Sequence, residues 1–158
     1  MSDTVITATE GPTPNMSDVT ITPSYSPNSY FAVAGRSISV GQPVANIGTA
    51  GSVNPAEANA GIGAFPALGF ATESAALGSQ VNYQFVGPLQ LSEAIWEGLI
   101  DGGGAPQLGV PYYVSPTTAG NITSTKPSST GTYATPVGVF VDLQTLLIDI
   151  ATPVGPHA

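Results

Sequence analysis

From residue 105 to residue 151 the chain is interrupted by turn residues about every ten positions, and that spacing limits the fold more than any other feature. Four pieces, "VPYYVSP", "GNITST", "ATPVGVFVDL" and "TLLIDIA", follow one another. Each is short and rich in β-branched or aromatic residues. None is long enough for a crossover helix, so the pattern predicts an all-β barrel or sandwich of short strands rather than a βαβ fold. The 19 Gly and 15 Pro in 158 residues fit a chain that turns often.

The same grammar extends back to Tyr30. "YFAVAGRSISVGQPV" predicts one or two short strands with turns at Gly35 and Gly41, and alternation over Arg36–Val40 puts Ile38 and Val40 on one face. "GTAGSVNPAEANAGIGAF" reads as a Gly/Ala/Asn-rich loop with room for one helical turn at Pro55–Ala58. "PALGFATESAALGSQVNYQFVGPL" reads as strand, loop, strand, with Val81, Tyr83 and Phe85 on one face of the second strand. "QLSEAIWEGLI" is the one helix candidate. Ser92 can cap it, Glu93 suits the first turn, and Ile95, Leu99 and Trp96 form the apolar stripe before "DGGG" ends it.

Residues 1–29 differ from this body of 30–158. Pro12, Pro14, Pro23 and Pro27 exclude helix and central-strand pairing, which leaves an extended N-terminal arm. Two β-prone pieces in it echo one another, Met-Ser-Asp-Thr-Val-Ile-Thr and Met-Ser-Asp-Val-Thr-Ile-Thr. Their apolar residues, Val5, Ile6, Val19 and Ile21, suit strand addition to a neighbour's open sheet edge.

Charge narrows the partners. Arg36 and Lys126 are the only basic residues other than the single histidine, and the formal net charge is −8. A phosphate backbone or an anionic membrane surface needs clustered cations, so neither nucleic acid nor membrane is an expected partner. The start "MSDTVITATE" has neither the basic nor the apolar region of a secretory signal, and no apolar run approaches the length of a membrane span. Synthesis in a cytoplasm follows as an expectation.

No catalytic, cofactor or metal site emerges. There is no cysteine, and His157, the only histidine, reads as an exposed tail residue. Thiol chemistry and an ordinary structural zinc site are therefore not expected, nor is a Ser-His-Asp triad. Glu93 and Glu97 are four apart on one helix face, as paired carboxylates can be, but a solvated face is the simpler reading. Asp142 and Asp149 flank the last turn and strand, and Asp101 reads as a turn residue. Asn15 and Asn121 begin three-residue glycosylation patterns of the kind that arise by chance. "GTAGS" and "DGGGAP" lack the Lys-Ser/Thr ending of a phosphate loop.

The aromatics are the more informative candidates. Adjacent strand residues point to opposite faces, so Tyr112 and Tyr113 are one core ring and one outward ring. "GVPYYVSPTTAGNITSTKP" then reads as a strand, a turn through Ala119–Asn121 and a returning strand. Trp96, Tyr112 and Tyr113 are the expected interface residues of the body.

The stretch from Leu91 to Ile150 resembles a module of tailed-bacteriophage structural proteins found in capsid decoration (cement) proteins, head fibres and tail-fibre segments. The resemblance is carried by Ser92-x-x-x-Trp96, Gly109 followed by Tyr-Tyr-Val-Ser at Tyr112–Ser115, Gly120-Asn-Ile-Thr, Lys126-Pro127, Val137-Gly138 and the closing "TLLIDI". "VGQPVANIGTAGSV" and the segment from Pro66 to Leu89 look like earlier strands of the same module, so the likeness covers roughly residues 30–150. It carries over no enzymatic residue. It implies a decoration protein on the outer surface of a phage head, with the major capsid protein and other copies of itself, as a homotrimer, for partners. A head-fibre or tail-fibre module that binds host glycans is the alternative it leaves open.

Overall fold

The computed structural model describes residues 28–59 and 65–158, and among them ten strands and one helix. Five strands close a small barrel: β1 (Ser29–Ala34), β2 (Pro43–Ala45), β3 (Ser52–Pro55), β4 (Ala67–Ala71) and β5 (Gln80–Gln84), in the order β1-β3-β2-β4-β5. Closure is made by β5 lying antiparallel to β1 in register from Ser29↔Gln84 to Val33↔Gln80. The other five strands form an open antiparallel sheet in the order β6-β10-β9-β7-β8. They are β6 (Val86–Gln90), β7 (Pro111–Val114), β8 (Ile122–Thr123), β9 (Pro136–Phe140) and β10 (Thr145–Asp149). Helix α1 (Glu93–Leu99) joins β6 to β7. The all-β reading with one short helix is what the structure has, as a barrel with a second sheet.

A barrel of only five strands has little interior, because diameter grows with strand number. Its filling is accordingly small: Ala34, Ile38, Val44, Val53, Ala71 and Val81. The larger core lies between the barrel and the second sheet. There Trp96 of α1 meets Phe70 of the barrel and Phe140 of β9 edge-on, at ring-centroid distances of 6.2 and 5.0 Å. Tyr112 meets Phe140 in the same way at 5.1 Å. Four aromatics thus join the two sheets through one shared cluster that also takes in Leu146, Ile148, Ile122 and Val137.

Helix α1 ends as its sequence requires. The Ser92 Oγ accepts from the Ile95 N–H, Glu93 sits in the first turn, and Trp96 and Leu99 are its buried residues. The four C-terminal pieces are all strands, and β7 and β8 form a hairpin around the expected turn. In that turn Ser115 Oγ accepts from the N–H groups of Thr117 and Thr118, both at 3.0 Å, and Gly120 takes φ +85°. The Gly120 N–H donates to Ala56 O at 2.8 Å, so the hairpin tip is fastened to the loop after β3.

Several local readings are corrected. Ser52–Pro55, expected within a loop, is strand β3, because it is paired on both sides, parallel to β1 and antiparallel to β2. That pairing also takes Pro55 out of any helical turn at Pro55–Ala58. Arg36–Val40 is not a strand; Ile38 makes one isolated bridge to Ala75, and Val40 is only half-buried. Phe85 lies one residue past β5, which ends at Gln84, and its ring stacks on Tyr30, the residue opposite Tyr83. Ser29, placed in the arm by its composition, opens β1. His157 is half-buried rather than exposed. Its N–H donates to Thr132 O at 3.0 Å and its carbonyl accepts from Gly131 N–H at 2.8 Å. Its Nε2 is buried and has no hydrogen-bond partner among the described residues.

Candidate functional site

The three body residues expected at an interface divide. Trp96 and Tyr112 are both 0% exposed, so neither can touch a partner; they are core anchors of the two-sheet cluster. The reason is their polar ends, which are satisfied internally. Trp96 Nε1–H donates to Gln144 O at 2.8 Å, and the Tyr112 hydroxyl accepts from Gln107 N–H at 3.0 Å. Tyr113 is half-buried on the opposite face of β7, where it stands across from Thr123 of β8 and Pro136 of β9. The tyrosine pair is one inward and one outward ring, with Tyr112 inward beside the buried Val114. The arm residues Val5, Ile6, Val19 and Ile21 lie outside the described residues.

Three exposed large apolar residues, Tyr30, Phe31 and Val33, lie close together on β1. Strand alternation turns Ala32 and Ala34 toward the barrel interior and Phe31 and Val33 outward. Phe31 is 66% exposed, and Tyr30 and Val33 are also exposed. Leu77, in the turn whose Gly78 N–H donates to Ala34 O, is 71% exposed, the highest value among the exposed large hydrophobics. This inverts the usual large-inside pattern, and the cause is the narrow barrel, which has room for alanine and none for phenylalanine.

The polar groups beside this wall already have partners. Asn82, directly opposite Phe31, donates from its backbone N–H and its Nδ2 to Glu73 Oε2, at 3.0 and 2.9 Å. Its carbonyl accepts from Thr72 Oγ1 at 3.2 Å. A surface of exposed apolar rings with internally bonded neighbours is cheap to desolvate, because few donors are stripped of water without replacement. At the barrel rim Tyr30 stacks on Phe85 at 5.4 Å and lies 6.5 Å from Tyr83. Burial, and secondarily the neighbouring Tyr30 hydroxyl, raise the Tyr83 phenol above the usual tyrosine range.

The sheet edges matter as much as the faces. The barrel is closed in its strand order. On β6 the outer carbonyls of Val86 and Pro88 both accept from Gln84 Nε2, at 3.0 and 2.9 Å, and Pro88 has no N–H to offer. On β8 the far side is taken by Ile100, which bridges to Ile122, and by the Asp101 N–H, which donates to Ile122 O at 2.9 Å. Among the described residues, the β6 and β8 edges of the second sheet are thus bonded or blunted, while the β1–β3 pairing covers only Val33 and Ala34.

The acidic candidates do not converge. Asp101 accepts from Asn121 Nδ2 at 3.2 Å and Thr117 Oγ1 at 3.4 Å, which commits the amide of the Asn121 glycosylation pattern to a structural bond. Asp142 Oδ1 accepts from Gln144 N–H at 2.8 Å in the β9–β10 turn. Glu93 and Glu97 are half-buried on α1. Among the described residues no group of three or more His, Asp or Glu could hold a metal ion, and no helix is long and apolar enough to cross a membrane.

No protein-family model matches the chain, and no curated protein sequence matches it significantly. The functional reading therefore rests on the residues themselves.

Sequence reasoning missed Phe31, Val33 and Leu77 as surface residues. "YFAVA" was legible as a strand, but which face looks outward is decided by barrel closure, a long-range property absent from a five-residue pattern.

Proposed function

We propose that this chain is a virion structural protein, a capsid decoration protein that binds the outer surface of a phage head and stabilises it by clamping adjacent capsomers. The observation that carries the reading is the exposed apolar face of Phe31 and Val33 on β1, with Tyr30 exposed at the barrel rim beside it. The blunted edges of the second sheet support it. A β-prone arm suits strand addition to a neighbour's edge, and the major capsid protein is the partner that the phage resemblance implies. In this reading Val5, Ile6, Val19 and Ile21 bind the capsid, while the β1 wall and Tyr113 contact neighbouring subunits, including other copies in a homotrimer. No cation cluster or catalytic constellation is required of it.

The test uses capsids and a full-length double variant, Phe31→Ser with Val33→Ser. Loss of capsid binding with unchanged unfolding midpoint supports the reading, and full occupancy by the double variant counts against the β1 wall. The glycan-binding alternative needs exposed aromatics; Tyr30 and Phe31 are exposed, and Tyr113 is half-buried. Glycan-array binding that vanished in Tyr30→Ala or Tyr113→Ala while capsid binding persisted would favour it.

A further inference from the structure

The seam between β1 and β3 is short. Its parallel ladder pairs only Val33↔Ser52 and Ala34↔Val53, and just before Ser52 the chain is in a turn, closed by Ser52 N–H on Thr49 O at 3.1 Å. The first half of β1 therefore has β5 on one side and no strand ladder on the other. Two bonds fix where its backbone groups point. Phe85 N–H donates to Asn28 O at 2.9 Å, and Ala34 N–H donates to Ser79 O at 2.8 Å. The even-numbered residues of β1 thus aim their N–H and C=O at β5, and those of Phe31 aim the opposite way. Asn82, opposite Phe31, agrees. It gives its N–H to Glu73 Oε2 and its carbonyl to Thr72 N–H, both away from β1. Among the described residues, the Phe31 N–H and C=O have no partner.

This edge is treated unlike the others. Sheets ordinarily protect an open edge with charge, proline or a covering segment, as Gln84 and Pro88 do on β6. At Phe31 the flanking side chains are instead Tyr30, Phe31 and Val33, all exposed and uncharged. The approach is open as well. Gly51, whose carbonyl accepts from Val33 N–H at the end of the seam, has nothing within 4 Å of its Cβ position.

We propose that the β1 edge at Phe31 is a strand-addition site for one extended, uncharged apolar segment of another protein. The proposal deepens the decoration reading and rests on it only for the identity of that protein, the shell subunit. Three observations select the occupant. The unmet groups are a backbone donor and a backbone acceptor on one residue, which a single residue of an antiparallel strand satisfies together. The side chains beside them are apolar on both faces, with Phe31 and Val33 outward and the Tyr30–Phe85 stack at the rim. Glu73 is held by Asn82 on the far side of β5, so an ion on the incoming strand would lose hydration with no counter-ion to meet. A second copy does not fit. Antiparallel self-pairing at Phe31 sets residue 29 opposite the second copy's Val33, where that copy's own Gly51 already takes the N–H. The edge needs a strand whose own edge is free.

Hydrogen exchange at single amides, read by NMR on the full-length protein, tests this. The probe is a capped neutral peptide, threonine-valine-isoleucine-valine-threonine. Its control is the same peptide N-methylated at each apolar residue, which keeps the side chains and removes the donors. In dilute protein alone, the Phe31 amide should exchange several-fold faster than those of Tyr30 and Ala32. Saturating peptide should slow Phe31 several-fold and leave its two neighbours unchanged, and the methylated peptide should not. Phe31 already protected in the dilute protein would mean that its own chain covers the edge. Protection that rises with protein concentration would mean a second copy. Either result, or no slowing by the peptide, would overturn the proposal. A variant gives a second readout. Phe31→Pro is tolerable on an open edge, because the N–H it removes is unpaired. It should bind the peptide about tenfold more weakly than Phe31→Leu, as for one lost hydrogen bond, and equal binding would also overturn the proposal. No arm of the test uses capsids, so this site and the decoration reading fail separately.

Discussion

The indole N–H of Trp96 donates to the carbonyl oxygen of Gln144, 48 residues later, at 2.8 Å. One bond thereby fixes α1 against the β9–β10 turn, while the same ring touches Phe70 and Phe140. Trp96→Phe keeps most of the packing and loses the bond, at about 1–2 kcal/mol. Trp96→Ala opens the junction between barrel and sheet and should cost about 3–5 kcal/mol. Urea unfolding followed by circular dichroism checks both.

The tyrosine pair makes a sharper contrast. Tyr112→Ala removes a fully buried ring from the Phe140 contact and should cost about 3–5 kcal/mol. Tyr112→Phe loses only the bond from Gln107 N–H, about 1 kcal/mol. Tyr113→Ala, on the outer face, should cost distinctly less than Tyr112→Ala. Equal losses for the two alanine variants would contradict the assigned faces.

Gly138 carries φ +149°, and a Cβ there would overlap the Leu147 carbonyl oxygen of the neighbouring strand. Gly138→Ala must therefore push β9 from β10 or break their ladder. A loss above about 3 kcal/mol, or failure to accumulate as folded protein, is expected. Gly104→Ala is the control. It lies in an open turn with positive φ and nothing within 4 Å of its Cβ position, so its cost should be limited to backbone strain of about 1–2 kcal/mol.

Tyr83 gives the pH dependence. Its phenol ionises at higher pH in the folded barrel than in the unfolded chain, through burial and then Tyr30. The unfolded state therefore releases this proton first. Its contribution to stability is complete below about pH 10 and is lost as pH rises through the folded-state value. Unfolding midpoints between pH 9 and 11.5 should fall more steeply for the wild type than for Tyr83→Phe.

Much of this fold could be read from local sequence, and what could not has a common cause. Strands β7, β9 and β10, the Ser92 cap and the alternation at Tyr112–Tyr113 depend on neighbours a few residues away. Strand β3 does not: Ser52–Pro55 has one β-branched residue and becomes a strand because β1 and β2 bond it from both sides. The outward Phe31 and Val33 likewise follow from the size of a closed five-stranded barrel, which puts Ala34 inside. For the same reason Trp96 was legible as an important aromatic but not as core, and which of Tyr112 and Tyr113 is the core ring was not legible. The burial of Trp96 and Tyr112 depends on Phe70 and Phe140, distant in sequence. The blunting of β6 by Gln84 is also a long-range fact, visible only once the chain has crossed from barrel to sheet at Phe85.

The decoration reading is tested most directly by counting copies of this chain in purified virions by quantitative mass spectrometry. A decoration protein repeats with the symmetric shell it covers, so the account predicts copies on the order of hundreds per particle, lost together when residues 1–25 are deleted. A dozen copies or fewer, or none, would contradict it.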